Sequence, residues 1–118
     1  MKILFLGDIV GRAARKAVID ELPALRRDMD IDFVVVNGEN AAGGFGITET
    51  IANSLFDAGA DVITLGNHAW DQRETLTHID REQRLLRPAN FPANTPGKGA
   101  GLFTTEKGEQ VLIITVQG

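Results

Sequence analysis

Three apolar segments of the sequence each lead into polar side chains that could do chemistry. The segments are residues 3–6, 33–36 and 62–65, and the polar residues that follow them are Asp8, Glu39, Asn40, Asn67 and His68. Short apolar segments rich in β-branched residues predict buried strands. In an open α/β sheet the residues that follow the strands gather at one edge, where such sheets build their sites. We therefore expect these five side chains to share one site.

The chemistry of this set favours metal-assisted attack on a phosphoryl group. Carboxylate and amide oxygens, with an imidazole added, suit manganese, iron, magnesium or zinc. A carboxylate such as Glu39 can bridge two cations, and two cations about 3.5–4 Å apart can clamp a phosphoryl group for attack by water. His68 directly follows Asn67, one of the proposed ligands, and could protonate the departing oxygen.

Each of these residues also has a structural interpretation when it is taken alone. Asp8 could cap the helix that follows it, Asn40 could be a turn residue, and His68 could be structural. The segment Gly43-Gly44-Phe45-Gly46 could offer backbone N–H groups to an anion, or could simply be a tight connection. Five donors after three strands are hard to explain by stability alone, so the set favours a site.

Helices are predicted between these strands. Residues 12–29 have helical spacing, and Pro23 is expected to kink or break that helix so that a second short helix restarts there. A further helix follows Thr48, a suitable N-cap, and ends at Gly59. The order strand, helix, strand, helix, strand predicts parallel βαβ units.

The next helix would lie beyond the third strand. Asp71 and Glu74 have the spacing of a capping box, which predicts that the helix opens there. Leu76 and Ile79 would face inward, and His78, with polar neighbours, would lie on the solvated face.

Proline and glycine dominate the segment 85–101, which is predicted to be a long ordered loop or a lid. Residues 102–105 and 110–116 then flank Lys107-Gly108, which predicts a β-hairpin that extends the sheet or starts a second one. Trp70 is expected to pack beneath the site loop. The fold class is therefore α/β, with parallel βαβ units followed by a hairpin.

Composition narrows the function further. The chain has 118 residues, of which 43% are apolar, a net charge of −4 and no cysteine. One globular domain, 1–118, is expected, without disulfides or thiolate metal sites. The absence of a basic block argues against duplex nucleic acid, and no segment predicts a signal peptide or a membrane span. These features predict a cytoplasmic protein.

Four motifs together resemble a known family. They are Gly7-Asp8-Ile9-Val10-Gly11, Asn37-Gly38-Glu39-Asn40-Ala41-Ala42-Gly43-Gly44, Gly66-Asn67-His68-Ala69-Trp70-Asp71 and Arg87-Pro88-Ala89-Asn90. The Gly-Asn-His block resembles that of the calcineurin-like metallophosphoesterases, and the whole set is similar to their YmdB-like bacterial branch. The superfamily usually shows Asp-x-His and Gly-Asp-x-x-Asp, whereas this chain carries the branch's versions of both motifs.

The resemblance implies a fold, a cofactor and a reaction. It implies an α/β/β/α sandwich that binds two divalent or mixed-valence metal ions, iron or manganese, with magnesium or zinc as alternatives. It makes Asp8 a metal ligand, Glu39 the bridging ligand, Asn40 and Asn67 further ligands, and His68 the proton donor. The implied substrates are small cyclic nucleotides, 2′,3′- or 3′,5′-cyclic, and no substrate-binding residue is predicted.

One departure from the family shapes the expectation for this chain. The family takes further ligands from C-terminal histidines, in Asp-Phe-His and Gly-Thr-His-Thr-His segments that are absent here. We therefore expect the N-terminal half of the sandwich, inactive alone and able to self-associate through its uncovered face. The alternative is a non-catalytic nucleotide- or metal-binding α/β module. A dinucleotide-binding fold is disfavoured because residues 7–11 lack Gly-x-Gly-x-x-Gly.

Overall fold

The structure is a computed structural model that describes residues 1–44 and 46–118. Its elements, in chain order, are β1 (Ile3–Leu6), α1 (Gly11–Asp28), β2 (Phe33–Asn37), α2 (Glu49–Ala58), β3 (Val62–Thr64), α3 (Thr75–Arg81), β4 (Leu85–Leu86), β5 (Ala100–Thr104) and β6 (Gln110–Ile114). Among these described residues, no helix combines the length and the apolar character that a membrane crossing requires.

The first four strands form one parallel sheet in the order β1-β2-β3-β4, and β5 pairs with β6 in a separate antiparallel hairpin. The predicted α/β class, the parallel βαβ units and the terminal hairpin are therefore confirmed. The sequence left open whether the hairpin extends the parallel sheet or starts a second one, and in the structure it starts a second sheet. Because the first four strands are parallel, the loops that follow them leave the sheet at one edge.

One face of the parallel sheet is closed by the helices. Val34, Val36 and Ile63 point to this face, and each is fully buried. The helices contribute Leu22 from α1 and Leu55 from α2 to the same core. Burial of this kind stabilises a fold by about 25 cal/mol for each Å² of apolar surface removed from water. This face is therefore the main source of stability.

The hairpin covers only part of the opposite face. Phe33 packs on Phe103 of the hairpin with ring centroids 5.9 Å apart, while Val35 is buried in the same cluster. Ile3 and Phe5 of β1 point to the same face, because they pair in register with Phe33 and Val35. They remain 53% and 61% exposed. The expectation that β1 is fully buried is therefore wrong, because the hairpin does not reach over this edge strand.

A single helix, α1, spans the position of Pro23. The predicted break with a second helix is wrong. A proline removes one backbone donor and crowds the preceding turn, at a cost of about 3 kcal/mol. The neighbouring Leu22 is 1% exposed in the core, so tertiary packing offsets that cost. The prediction for α2 is confirmed: the Thr48 hydroxyl accepts from the Ile51 N–H at 3.2 Å, and the helix ends before Gly59.

The start and the buried side of α3 differ from the prediction. The helix begins at Thr75, and the Glu74 carboxylate accepts from the Glu49 backbone N–H at 2.7 Å, so no capping box forms. His78 is 3% exposed and Leu76 is 41% exposed, the reverse of the expectation for both residues. Thr75, His78 and Ile79 lie at helical spacings of three and four residues, and all three face the core.

The proline-rich segment 85–101 contains more order than the sequence predicts. It begins with β4, a strand that the sequence pattern did not predict, which pairs with β3. Beyond it lies Arg87, which is 7% exposed. Its guanidinium donates to four backbone carbonyl oxygens, at 2.9–3.4 Å, those of Pro88, Thr95, Pro96 and Gly97. One side chain therefore ties much of this loop together.

Candidate active site

Backbone hydrogen bonds connect the three loops that follow β1, β2 and β3, which we call the strand-end loops. The Ile9 N–H donates to the Asn37 carbonyl at 3.2 Å, and the Gly11 N–H donates to the Asn40 carbonyl at 3.3 Å. The Gly38 N–H donates to the Thr64 carbonyl at 3.0 Å. The loops that carry Asp8, Glu39 and Asn67 are therefore neighbours, at the carboxyl edge of the parallel sheet.

Asp8 and Asn40 meet across the first two of these loops. The Asn40 side-chain amide donates to Asp8 Oδ1 at 2.9 Å, although 32 residues separate them in the chain. This contact orients both side chains. The Asn40 nitrogen faces the carboxylate, so its carbonyl oxygen points away from that bond.

Glu39 joins the second loop to the third. Its Oε2 accepts from the His68 backbone N–H at 3.4 Å, and Asn37 contacts it on the other side, donating to Oε1 at 3.4 Å. The carboxylate also lies directly over Gly66. A Cβ placed on Gly66 would be 2.6 Å from Glu39 Cδ, closer than any two such atoms can approach. A side chain at position 66 would therefore displace the Glu39 carboxylate from its place beside the His68 backbone.

The His68 ring contacts a carboxylate for which the sequence pattern predicted another role. Nδ1 of His68 lies 2.7 Å from Asp71 Oδ2. Asp71 was predicted to open α3 as a capping residue, but that helix begins four residues later. The signal in the sequence was the spacing of three residues between histidine and carboxylate, which a tight turn can bring together. Trp70, between them, packs against Phe91 with ring centroids 6.3 Å apart.

Three further features lie near the site: Asn67, Arg15 and the segment 43–46. Asn67 follows Gly66 directly and is exposed. Arg15 donates to the Ala41 carbonyl at 2.6 Å and so supports the second loop from α1. Phe45 lies outside the described residues, so the predicted anion-binding role of the segment 43–46 concerns a stretch that the structure describes only in part. In that stretch Gly43, Gly44 and Gly46 adopt positive φ.

Asp8 and Asn40 contact each other through their side chains, and Glu39 contacts the backbone of His68. In residues 1–44 and 46–118, no group of three or more histidine, aspartate or glutamate side chains forms a metal cluster. The chemistry of the set nevertheless fits a hard cation, because two carboxylates and two carboxamides offer the oxygen ligands that such ions prefer. Asp8 with Asn40, and Glu39 beside the Gly66–His68 turn, are the residues that would hold such an ion.

Comparison with known proteins identifies the family. The sequence model of the YmdB-like proteins matches residues 4–118. The chain belongs to the YmdB-like family. Among its relatives, a 2′,3′-cyclic-nucleotide 2′-phosphodiesterase of Bacillus subtilis is 47% identical over all 118 residues, which cover 44% of that protein.

Two solved structures of similar proteins support the fold of this YmdB-like chain. A hypothetical protein from Thermus thermophilus superposes with a TM-score of 0.92 at 39% identity. A phosphatase from Mycoplasma pneumoniae gives a TM-score of 0.89 at 33% identity. Both comparisons cover 100% of this chain, but only 45% and 43% of those chains. The chain therefore spans less than half the length of the three relatives described here.

Proposed function

We propose that this chain carries part of the active site of a metal-dependent phosphodiesterase that hydrolyses 2′,3′-cyclic nucleotides. The contacts among the three strand-end loops carry this proposal, because they bring Asp8 to Asn40 and Glu39 to the His68 backbone. The name of the Bacillus relative supports the substrate class. A 3′,5′-cyclic nucleotide is the second substrate class to test.

Each site residue has a role in this proposal. Asp8, Asn40 and Asn67 would supply oxygen ligands to two cations, iron or manganese, with Glu39 as the bridging ligand. When bound, such cations supply Lewis-acid polarisation of the phosphoryl oxygens. Water adds to phosphorus, the bond from phosphorus to O2′ breaks, and His68 gives a proton to that oxygen. The product keeps its phosphate on the 3′ oxygen.

We also propose that residues 1–118 form only part of one metallophosphoesterase domain and turn over little substrate alone. The ligands that they offer are oxygens, and imidazole ligands would strengthen the hold on iron, manganese or zinc. His78 is not proposed as such a ligand, because it lies on α3 among the residues of that helix that face the core. A cytoplasmic location belongs to the same proposal, and a chain without cysteine is compatible with it.

Calorimetric titration of Mn²⁺ into the 118-residue chain tests the metal assignment. We expect weak binding that Asp8→Asn and Glu39→Gln each reduce by about tenfold or more, because each removes a charged ligand. Glu106→Gln is the matched control, since this exposed carboxylate precedes the hairpin turn and lies outside the strand-end loops. Equal Mn²⁺ affinity in all four proteins would overturn the assignment.

A parallel assay follows hydrolysis of 2′,3′-cyclic AMP and 3′,5′-cyclic AMP with Mn²⁺, using this chain and any longer gene product that contains it. We expect turnover of the 2′,3′ isomer in the longer protein and its loss in His68→Ala. The glycine-rich segment 43–46 favours the alternative of a non-catalytic nucleotide-binding module. Nucleotide binding that needs no metal, with no turnover in either protein, would support that alternative instead.

Self-association is a further part of the proposal. An apolar groove of about 480 Å³ lies between the parallel sheet and the hairpin, beside β1. Exposed apolar side chains border it, among them Phe5, Leu112, Ile114 and Val116, each at least 59% exposed. A second copy of the chain could cover this surface, because exposed apolar patches and strand edges favour association.

A further inference from the structure

We propose that Asp71 is a positioning residue that holds the His68 ring in one orientation and one tautomer. This inference rests on the proposed function of His68 as proton donor. The two side chains meet at 2.7 Å through Nδ1 of the ring, and they are 37% and 34% exposed. An ionised carboxylate can only accept a hydrogen bond, so Nδ1 must carry a proton, and its N–H donates the hydrogen bond to Asp71. Nε2 is then the nitrogen that faces a substrate, and it can give up a proton when it also carries one, in the imidazolium form of the ring.

Two backbone hydrogen bonds within the turn bring Asp71 and His68 together. The Ala69 N–H donates to the Gly66 carbonyl at 3.1 Å, and the Asp71 N–H donates to the His68 carbonyl at 3.2 Å. These consecutive turns return the chain on itself, so that Asp71 comes back beside His68. Ala69 is fully buried at the centre of the turn.

The loop that contains Gly46 is in close contact with the same turn. Gly46 approaches it so closely that a Cβ at this position would lie 2.9 Å from the His68 carbonyl oxygen and 3.3 Å from Asp71 Cβ. Its φ of +75° is also one that side chains other than glycine rarely adopt. The loop backbone at Gly46 therefore limits the movement of both members of the pair.

The Asp71 carboxylate has no competing role at α3. The N-cap position of that helix belongs to Glu74, and Asp71 lies three residues before it. The bond to His68 therefore explains a carboxylate that helix capping does not. A partner on one ring nitrogen is the usual means by which proteins fix which nitrogen carries the proton.

The tautomer can be measured directly in the metal-free chain. The sequence contains only two histidines, so the ¹⁵N spectrum of the labelled protein holds two ring systems, and His68→Asn identifies one of them. The spectra are recorded at a pH above which the ring ¹⁵N shifts no longer change, so that the neutral form of each ring is observed. We expect wild-type His68 to show the Nδ1–H tautomer, and Asp71→Ala to shift it toward Nε2–H.

Two further variants control this measurement. Asp71→Glu should restore part of the Nδ1–H population, because a carboxylate can still reach the ring. Asp57→Ala is the matched loss of a carboxylate at the end of α2, near the opposite edge of the sheet, and should change nothing. A folded Asp71→Ala protein whose His68 tautomer is unchanged would overturn the proposal, with folding checked from the amide spectrum.

Kinetics supply the second measurement, in whichever form of the protein hydrolyses the cyclic nucleotide. Asp71→Ala should lower kcat by about 10–100-fold, the usual cost of losing a group that orients a site residue, with KM nearly unchanged. An unchanged kcat would refute the positioning role. If the wild-type protein shows no turnover at all, the proposed function fails, and the tautomer measurement alone decides whether Asp71 positions His68.

Discussion

The two faces of the parallel sheet differ in how completely they are covered. On the helix face, alternate residues of the central strands and the inner sides of the helices form one continuous buried cluster. On the other face, the hairpin covers β2, β3 and β4 but leaves Ile3 and Phe5 of β1 exposed. The strands are the same on both sides, so the difference comes from what packs on them. Stability is therefore concentrated on one face, and the other offers surface for a further layer.

The largest effect should come from opening the helix face. Leu55→Ala removes a side chain of α2 that is fully buried, and should lower the free energy of unfolding by about 2–5 kcal/mol. Urea denaturation followed by circular dichroism measures it. Leu76→Ala is the control, because Leu76 is 41% exposed and its loss should cost at most about 0.5 kcal/mol. Equal losses in the two variants would show that the helix face is not the main core.

A smaller effect on stability, but a clear one on association, is expected on the open face. Phe5→Ser should change the free energy of unfolding by about 0.5 kcal/mol or less, because Phe5 is 61% exposed. It should also reduce self-association in sedimentation velocity at high protein concentration. Met29→Ser is the control, since Met29 is an exposed apolar residue at the end of α1. Association that both variants reduce equally would argue against the open face.

The smallest effect on the free energy of unfolding is expected from a charged pair at the border of the helix face. Arg84 lies over the Phe56 ring of α2, 4.0 Å from its centroid. Hydrogen bonds from its guanidinium hold the pKa of Glu82 below its ordinary value. A lowered folded-state pKa stabilises the protein above the unfolded pKa, and this contribution is lost as the pH falls through the folded value. Glu82→Gln should therefore destabilise the protein slightly at neutral pH.

Denaturation at pH 7 and at about pH 3, below the ordinary glutamate pKa of about 4.3, measures this contribution. The difference between wild type and Glu82→Gln should shrink at the lower pH. Glu106→Gln, at the exposed hairpin turn, is the matched control for the loss of a carboxylate away from Arg84. A gap between wild type and Glu82→Gln that grows in acid would reverse the sign and contradict the prediction.

Local patterns predicted the parts of this fold that depend on local interactions. The first strand, the N-cap at Thr48 and the hairpin around Lys107-Gly108 were all foreseen, because strand propensity, capping and turn chemistry act within a few residues. The convergence of the strand-end loops was foreseen as well, since parallel topology imposes it. The metal roles of Asp8, Glu39, Asn40 and Asn67 stay predictions.

The misses share a physical cause, which is packing between distant segments. Nothing near His78 in the sequence shows that α3 turns this residue toward the core. The exposure of Phe5 depends on where the hairpin stops, about one hundred residues later in the chain. Pro23 remains inside a helix because the core holds Leu22. The Asp71–His68 pair needed the exact path of one turn, and helix-capping rules pointed to a different partner.

The four bonds from Arg87 have a consequence for the histidine turn. They give a segment rich in proline and glycine the rigidity of a cross-linked loop, without a disulfide or a long strand. Phe91, inside that segment, is the surface against which Trp70 rests. A buried guanidinium thus holds together the loop on which Trp70 packs, two residues after the proposed proton donor. Lysine could not replace it, since a single ammonium lacks the planar fork that reaches several carbonyls at once.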